Sequence, residues 1–197
     1  MKKITLLSVM AGLCTCIFSQ DYGYDLKTLD APLFIGDYIK KTTPLGRFIN
    51  YKKDTASLAD FEGRLVILSF WFTTCGSCVA MFPKEDALQK QFNKNIQFIM
   101  VTYEPEQKVR AFIKSWEQKN NTHFNMPVIV GDTVLRKAIR NFANPNYAWL
   151  LPEGKLVAQT TEYFINSYGI NAALYSWAEE NNQTRYKAPA KNKKPVR

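Results

Sequence analysis

Eight consecutive residues, Leu65-Val66-Ile67-Leu68-Ser69-Phe70-Trp71-Phe72, are β-prone and apolar at every position but Ser69. No polar alternation runs through them, so they read as a strand buried on both faces. Such a strand belongs in a parallel or mixed sheet covered by helices. Ile96–Tyr103 repeats the character, and the 17 residues Gly76–Phe92 between the two runs are long enough for a helix. Together they predict a βαβ unit.

The rest of the chain supplies elements around that unit. Arg47–Tyr51 is a strand candidate, and Ser57–Phe61 reads as a helical turn ending at Gly63. Val109, Phe112, Ile113 and Trp116 fall at i, i+3, i+4 and i+7, predicting a helix from Pro105 to Asn120-Asn121. Met126–Val130 is a short apolar run. Asp132 suits the cap of a third helix with Val134, Leu135, Ala138, Ile139 and Phe142 inward. Tyr147–Leu151 and Leu156–Thr160 flank Pro152-Glu153-Gly154-Lys155 as a hairpin. A last helix places Ile170, Ala173, Leu174 and Trp177 on one face. The expected fold class is α/β: one domain, a central mixed sheet flanked by helices.

Charge helps to divide the chain. The 197 residues carry 26 Lys+Arg and 17 Asp+Glu, a formal net charge of +9. Lys2 and Lys3 precede an apolar stretch, Ile4–Phe18, that ends at Ser19-Gln20. A positive start and a short apolar segment predict a secretory signal peptide over residues 1–20. An uncleaved anchor and a lipidated Cys14 or Cys16 are the weaker alternatives. Arg185, Lys187, Lys191, Lys193, Lys194 and Arg197 make 184–197 a basic, solvated tail, able to touch an anionic surface weakly. What remains, the domain at 21–183, is nearly neutral, which removes the case for nucleic-acid binding. The expected product is exported, periplasmic or beyond, monomeric, and without a membrane span once the signal is gone.

That division leaves Cys75 and Cys78 as the cysteines of the domain. Cys75-Gly76-Ser77-Cys78 follows the buried run and opens the helix. A cysteine there faces unpaired N–H groups and the positive end of the helix dipole, which favour thiolate. Cys78, one turn later, can attack a mixed disulfide formed at Cys75. A structural staple would add only about 2 kcal/mol for so short a loop. Zinc needs four ligands, and the domain offers one pair and a single histidine, His123, read here as a loop or surface residue. Attached haem needs C-x-x-C-H, but Val79 follows. Thiol chemistry without metal or cofactor is the reading that fits.

Phe70–Cys78 followed by Phe82-Pro83 resembles the active-site segment of thioredoxin-like proteins. More narrowly, the chain is similar to exported thiol-disulfide oxidoreductases of the TlpA/ResA type. Leu58-Ala59-Asp60-Phe61-Glu62-Gly63-Arg64 upstream and Asn144-Pro145 with Pro152-Glu153-Gly154-Lys155 downstream follow that group's order, over about residues 28–180. The resemblance implies a thioredoxin-like fold with Cys75 and Cys78 catalytic. It also implies that Asn144, a cis-Pro145, Thr74, Gly76 and Ser77 meet the substrate. Trp71 would pack beneath the site, and Pro83 would kink the first helix. The implied partners are disulfide-bearing envelope proteins and an upstream thiol electron donor.

The departures from the family pattern are specific. Thr74 replaces the usual aromatic before the first cysteine, and Ser77 the usual proline between the two. Thioredoxins proper keep a buried acid six residues before the first cysteine, where this chain has Ser69. ResA-type members keep a glutamate three residues after the second, where it has Met81. Proton transfer to and from Cys78 then falls to water or another group, with Glu85 the candidate, and slow resolution is expected. Two other functions stay open. One is a redoxin-type thiol peroxidase, although the threonine-bearing peroxidatic loop is missing. The other is a non-catalytic binding or assembly module with a vestigial C-x-x-C.

Overall fold

The computed structural model describes residues 22–140 and 143–181. The segments read as a signal peptide and a basic tail lie outside them, and so does Phe142. Seven strands form one mixed sheet: β1 (Pro44–Ile49), β2 (Thr55–Ser57), β3 (Leu65–Phe70), β4 (Ile96–Val101), β5 (Val128–Val130), β6 (Asn146–Leu150) and β7 (Leu156–Thr160). Their order across the sheet is β2-β1-β5-β4-β3-β6-β7. β3, β4 and β5 are parallel neighbours, and every other pairing is antiparallel.

The central strand behaves as its composition requires. All six residues of β3 are buried, and the five apolar ones divide between two cores. Leu65, Ile67 and Trp71 point to the face covered by α1 (Gly76–Gln91), α2 (Glu106–Asn120) and α4 (Ser167–Glu180). Val66, Leu68 and Phe70 point to the face that buries α3 (Leu135–Ala138), the 3-10 turn Leu58–Phe61 and the N-terminal segment. On the first face, Trp71 meets Phe82 edge-on at 5.1 Å and Phe112 at 5.5 Å. This joins α1 and α2 directly under the end of β3.

Two expectations need correction, and one strand is additional. The first strand runs Pro44–Ile49, not Arg47–Tyr51. Asn50 turns left-handed at φ 54° and donates through Nδ2 to the carbonyls of Phe124 (2.7 Å) and Met126 (2.9 Å), which stops the strand. The additional strand, Thr55–Ser57, has only three residues, too few for an alternation to show in the sequence. The third helix is a single turn. Asp132 accepts from the N–H groups of Val134, Leu135 and Arg136, and this early cap leaves Val134 facing outward while Leu135, Ala138 and Ile139 are buried.

The outer edge of the sheet is partly covered by the chain's own N-terminal segment. Gly36 N–H donates to Leu156 C=O at 2.8 Å, Leu156 N–H to Asp37 C=O at 2.8 Å, and Ile39 N–H to Gly154 C=O at 2.9 Å. Tyr38 bridges to Lys155 in the same register. Gly154, at φ +94°, permits this approach, since a Cβ there would lie 2.2 Å from Ile39 O.

Candidate active site

β3 delivers the chain to a short turn, closed by Cys75 N–H donating to Phe72 C=O at 3.0 Å, and α1 starts immediately after it. Cys75 is the N-cap residue of α1. Its Sγ accepts from Cys78 N–H at 3.3 Å and lies 3.6 Å from Ser77 Oγ. The two cysteines form a disulfide, with their Cα atoms 5.3 Å apart. Cys75 is 7% exposed and Cys78 3%. The residues around them, Thr74, Gly76 and Ser77, are exposed. Cys78 Sγ sits 4.0 Å from Phe70 O.

The second expected segment arrives from β6. The Asn144–Pro145 peptide is cis, and Asn146 pairs with Phe70, which puts Pro145 at the same end of the sheet as the disulfide. Pro145 is buried and Asn144 partly exposed. Trp71 is 1% exposed and packs in the core that also contains Cys75 and Cys78. Pro83 lies inside α1, on its exposed side, so its absent N–H interrupts the ladder without disturbing the buried face. His123 is a loop residue, with Nδ1 2.7 Å from Glu117 Oε1.

Beneath the disulfide lies a polar group within the apolar core. Ser69, opposite Tyr147 in the β3–β6 register, donates through Oγ to Glu85 Oε1 at 2.8 Å. Glu85 reaches it from α1, two turns past Cys78 and on the same side of the helix. Burial pushes the Glu85 carboxyl up to about 7, and the hydroxyls of Tyr147 and Ser69 hold it from going higher. The Tyr147 hydroxyl is raised too, by burial and then by the nearby Glu85 charge. Neither Glu85 Oε2 nor Tyr147 Oη makes a hydrogen bond of standard geometry.

A second buried acid, Glu104, touches the loop before Cys75. Its Oε2 accepts from Thr73 N–H at 2.6 Å and its Oε1 from Thr73 Oγ1 at 3.0 Å, while Lys108 Nζ lies 2.6 Å from Oε1. Burial pushes its carboxyl up, but Lys108 and the two Thr73 donors outweigh it and hold the group below its ordinary value. The residue pattern gave no warning of this contact. The available signal was an acid closing a buried strand, with a lysine four residues on. Among the described residues no group of three or more His, Cys, Asp or Glu is arranged to hold a metal ion. None of their helices is long and apolar enough to cross a membrane.

Comparison with known proteins gives a consistent picture. The family model described as Redoxin matches residues 36–174, well over half of the chain. The thioredoxin-like protein YneN of Bacillus subtilis is 31% identical over 68 residues, spanning 32% of this chain and 40% of that protein. Among solved structures, the thioredoxin domain of a thiol-disulfide oxidoreductase from Bacteroides vulgatus aligns over 76% of this chain and 98% of its own. Its TM-score is 0.51 and its identity 22%. A thioredoxin-like protein solved in its oxidised form aligns over 73% of this chain and 99% of its own, with a TM-score of 0.58 at 16% identity. At these identities the structural likeness establishes a thioredoxin-like fold.

Proposed function

Because the chain belongs to the Redoxin family, we propose that it works as an exported thiol-disulfide oxidoreductase of the TlpA/ResA type, reducing cysteine pairs of envelope proteins. The observation that carries this reading is the disulfide at the strand-to-helix junction, with Cys75 as the cap of α1. Once the pair is reduced, Cys75 Sγ lies where the Cys78 N–H and the helix dipole favour thiolate over thiol. The Cys75 thiolate attacks one sulfur of a substrate disulfide, and the other sulfur leaves as a thiolate. Cys78 then gives up its proton and attacks Cys75 Sγ. The second substrate thiol is released, and the enzyme returns to the Cys75–Cys78 disulfide. Two electrons pass to the substrate in each cycle, and an upstream thiol donor restores them.

Thr74, Gly76 and Ser77 leave room for the substrate beside Cys75, and Asn144 with cis-Pro145 supplies backbone for an extended chain to lie against. Cys78 is too buried to lose its proton directly to bulk water. Glu85 is the acceptor this reading assigns, with the Ser69 hydroxyl bonded to it and one residue from the Phe70 carbonyl that faces Cys78 Sγ. The N-terminal pattern of residues 1–20 supports export.

Replacing Cys75 by serine should abolish reduction of insulin disulfides while the fold and its thermal transition persist. Undiminished turnover by Cys75→Ser would remove the mechanism. Peroxide consumption by the pre-reduced protein would instead favour the thiol peroxidase reading. Inert wild-type protein in both assays would favour the binding module.

A further inference from the structure

β4 leads into Thr102-Tyr103-Glu104-Pro105 before α2 begins. Glu104 is 3% exposed, and its backbone is fixed on both sides. Its N–H donates to Thr102 Oγ1 at 3.3 Å, and its C=O accepts from Gly131 N–H at 2.9 Å. The side chain therefore starts from an anchored position. Its two oxygens close on one residue of the neighbouring loop, Thr73, taking both the N–H and the hydroxyl. Lys108, one helical turn along and half exposed, covers the carboxylate from the solvent side. Charge-assisted bonds of this type are roughly twice as strong as neutral ones. Thr73 cannot move without breaking two of them.

Thr73 lies inside the turn that Cys75 N–H closes onto Phe72 C=O. The same turn decides whether Cys75 arrives as the cap of α1, with Sγ 3.3 Å from Cys78 N–H. Stabilisation of a thiolate by a helix end is short-ranged, fading within the first turn, so a small displacement forfeits it. We propose that Glu104 is a positioning residue of the thiol-disulfide site: by chelating Thr73 it fixes the Phe72–Cys75 turn, so that the Cys75 thiolate forms on the N-terminus of α1. The inference rests on the reading of Cys75 as the nucleophile.

Position and charge make opposite demands here, which gives a clean test. Removing a negative group near Cys75 by electrostatics alone would favour the thiolate and lower its titration midpoint. Releasing the turn would disfavour the thiolate and raise it. The experiment follows iodoacetamide alkylation of Cys75 in the reduced full-length protein from pH 4 to 10, resolved on Cys75 by fragment mass spectrometry. Wild type, Glu104→Gln, Thr73→Val and the double variant are compared. Glu104→Gln is expected to raise the midpoint by about one pH unit, which slows alkylation at pH 6 about tenfold. Thr73→Val, which keeps the N–H and loses only the hydroxyl, should shift it in the same direction by less. The double variant should be no slower than Glu104→Gln alone, because both changes remove the same contact.

A midpoint that is unchanged or lowered in folded Glu104→Gln overturns the proposal, and so does an additive double variant. If Glu104→Gln does not fold, an unshifted Thr73→Val has the same force. Wild-type Cys75 titrating near the ordinary thiol value of about 8.5 would instead defeat the nucleophile reading, and the clamp with it.

Discussion

Two buried acids serve the same strand, and they are held in opposite states. Ser69 Oγ, on β3, donates to Glu85; Thr73 Oγ1, three residues past the end of β3, donates to Glu104. What differs is the remaining company. Glu104 also takes a backbone N–H and has Lys108 beside it, so it stays charged below its ordinary titration range. Glu85 has only hydroxyls and an apolar surround, so burial dominates and its carboxyl rises to about 7. A buried carboxylate given a cation and a rigid donor becomes a fixture. One given neither keeps its proton near neutral pH and can exchange it.

The largest test of that contrast acts on the second step of the cycle. Glu85→Gln preserves shape and hydrogen bonding but accepts no proton. At pH 8 it should slow release of a pre-formed mixed disulfide by on the order of 100-fold, while Cys75 alkylation stays at the wild-type rate. Stopped-flow release within threefold of wild type would remove Glu85 from the proton path.

Stability should separate the two acids as well. In the unfolded chain Glu85 ionises near 4.5, whereas in the fold it keeps its proton to about 7. Wild-type stability therefore falls as pH rises between those values, by about 3 kcal/mol in all, and then levels off. Glu85→Gln should flatten this slope in urea unfolding at pH 5 and pH 8; an unchanged slope would place the titration elsewhere. Glu104 acts in the reverse sense. Its contribution is present above about 4.5 and is lost only as pH falls through its depressed value. The smallest effect belongs to Lys108→Met. The ammonium is half exposed, so the change should cost less than about 1 kcal/mol at neutral pH by urea unfolding. A loss of several kcal/mol would mean that the lysine, not Thr73, holds the carboxylate in place.

Much of this fold was legible because it is local. The apolar run at β3, the C-x-x-C that ends it and the helix behind it are neighbours in sequence, and their periodicity is strong. Asn144-Pro145 was legible through resemblance. Glu85 could be singled out as an acid on the helix that carries Cys78, at a site where the expected acids at 69 and 81 are missing. The chain restores a carboxyl beneath the disulfide from the helix instead of the strand. Glu104 and Thr73, by contrast, are 31 residues apart, and each looks like an ordinary polar residue next to a strand end. Their contact follows from the parallel register of β3 and β4, which pairs Phe70 with Val101 and brings the two strand ends together. Asn50 and the three-residue β2 escaped for the same reason, since tertiary contacts define them.

The segment from Gly36 to Ile39 has a consequence for the protein in crowded surroundings. A strand edge with unpaired backbone groups recruits any other such edge, including one from a second copy of the same chain. Residues 36–39 shield the start of β7, and they can lie there only because Gly154 has no side chain to strike Ile39 O. A single methyl group at residue 154 would lift that cover and leave the edge open to sheet extension. Whether the start of β7 stays covered thus turns on one hydrogen atom at residue 154.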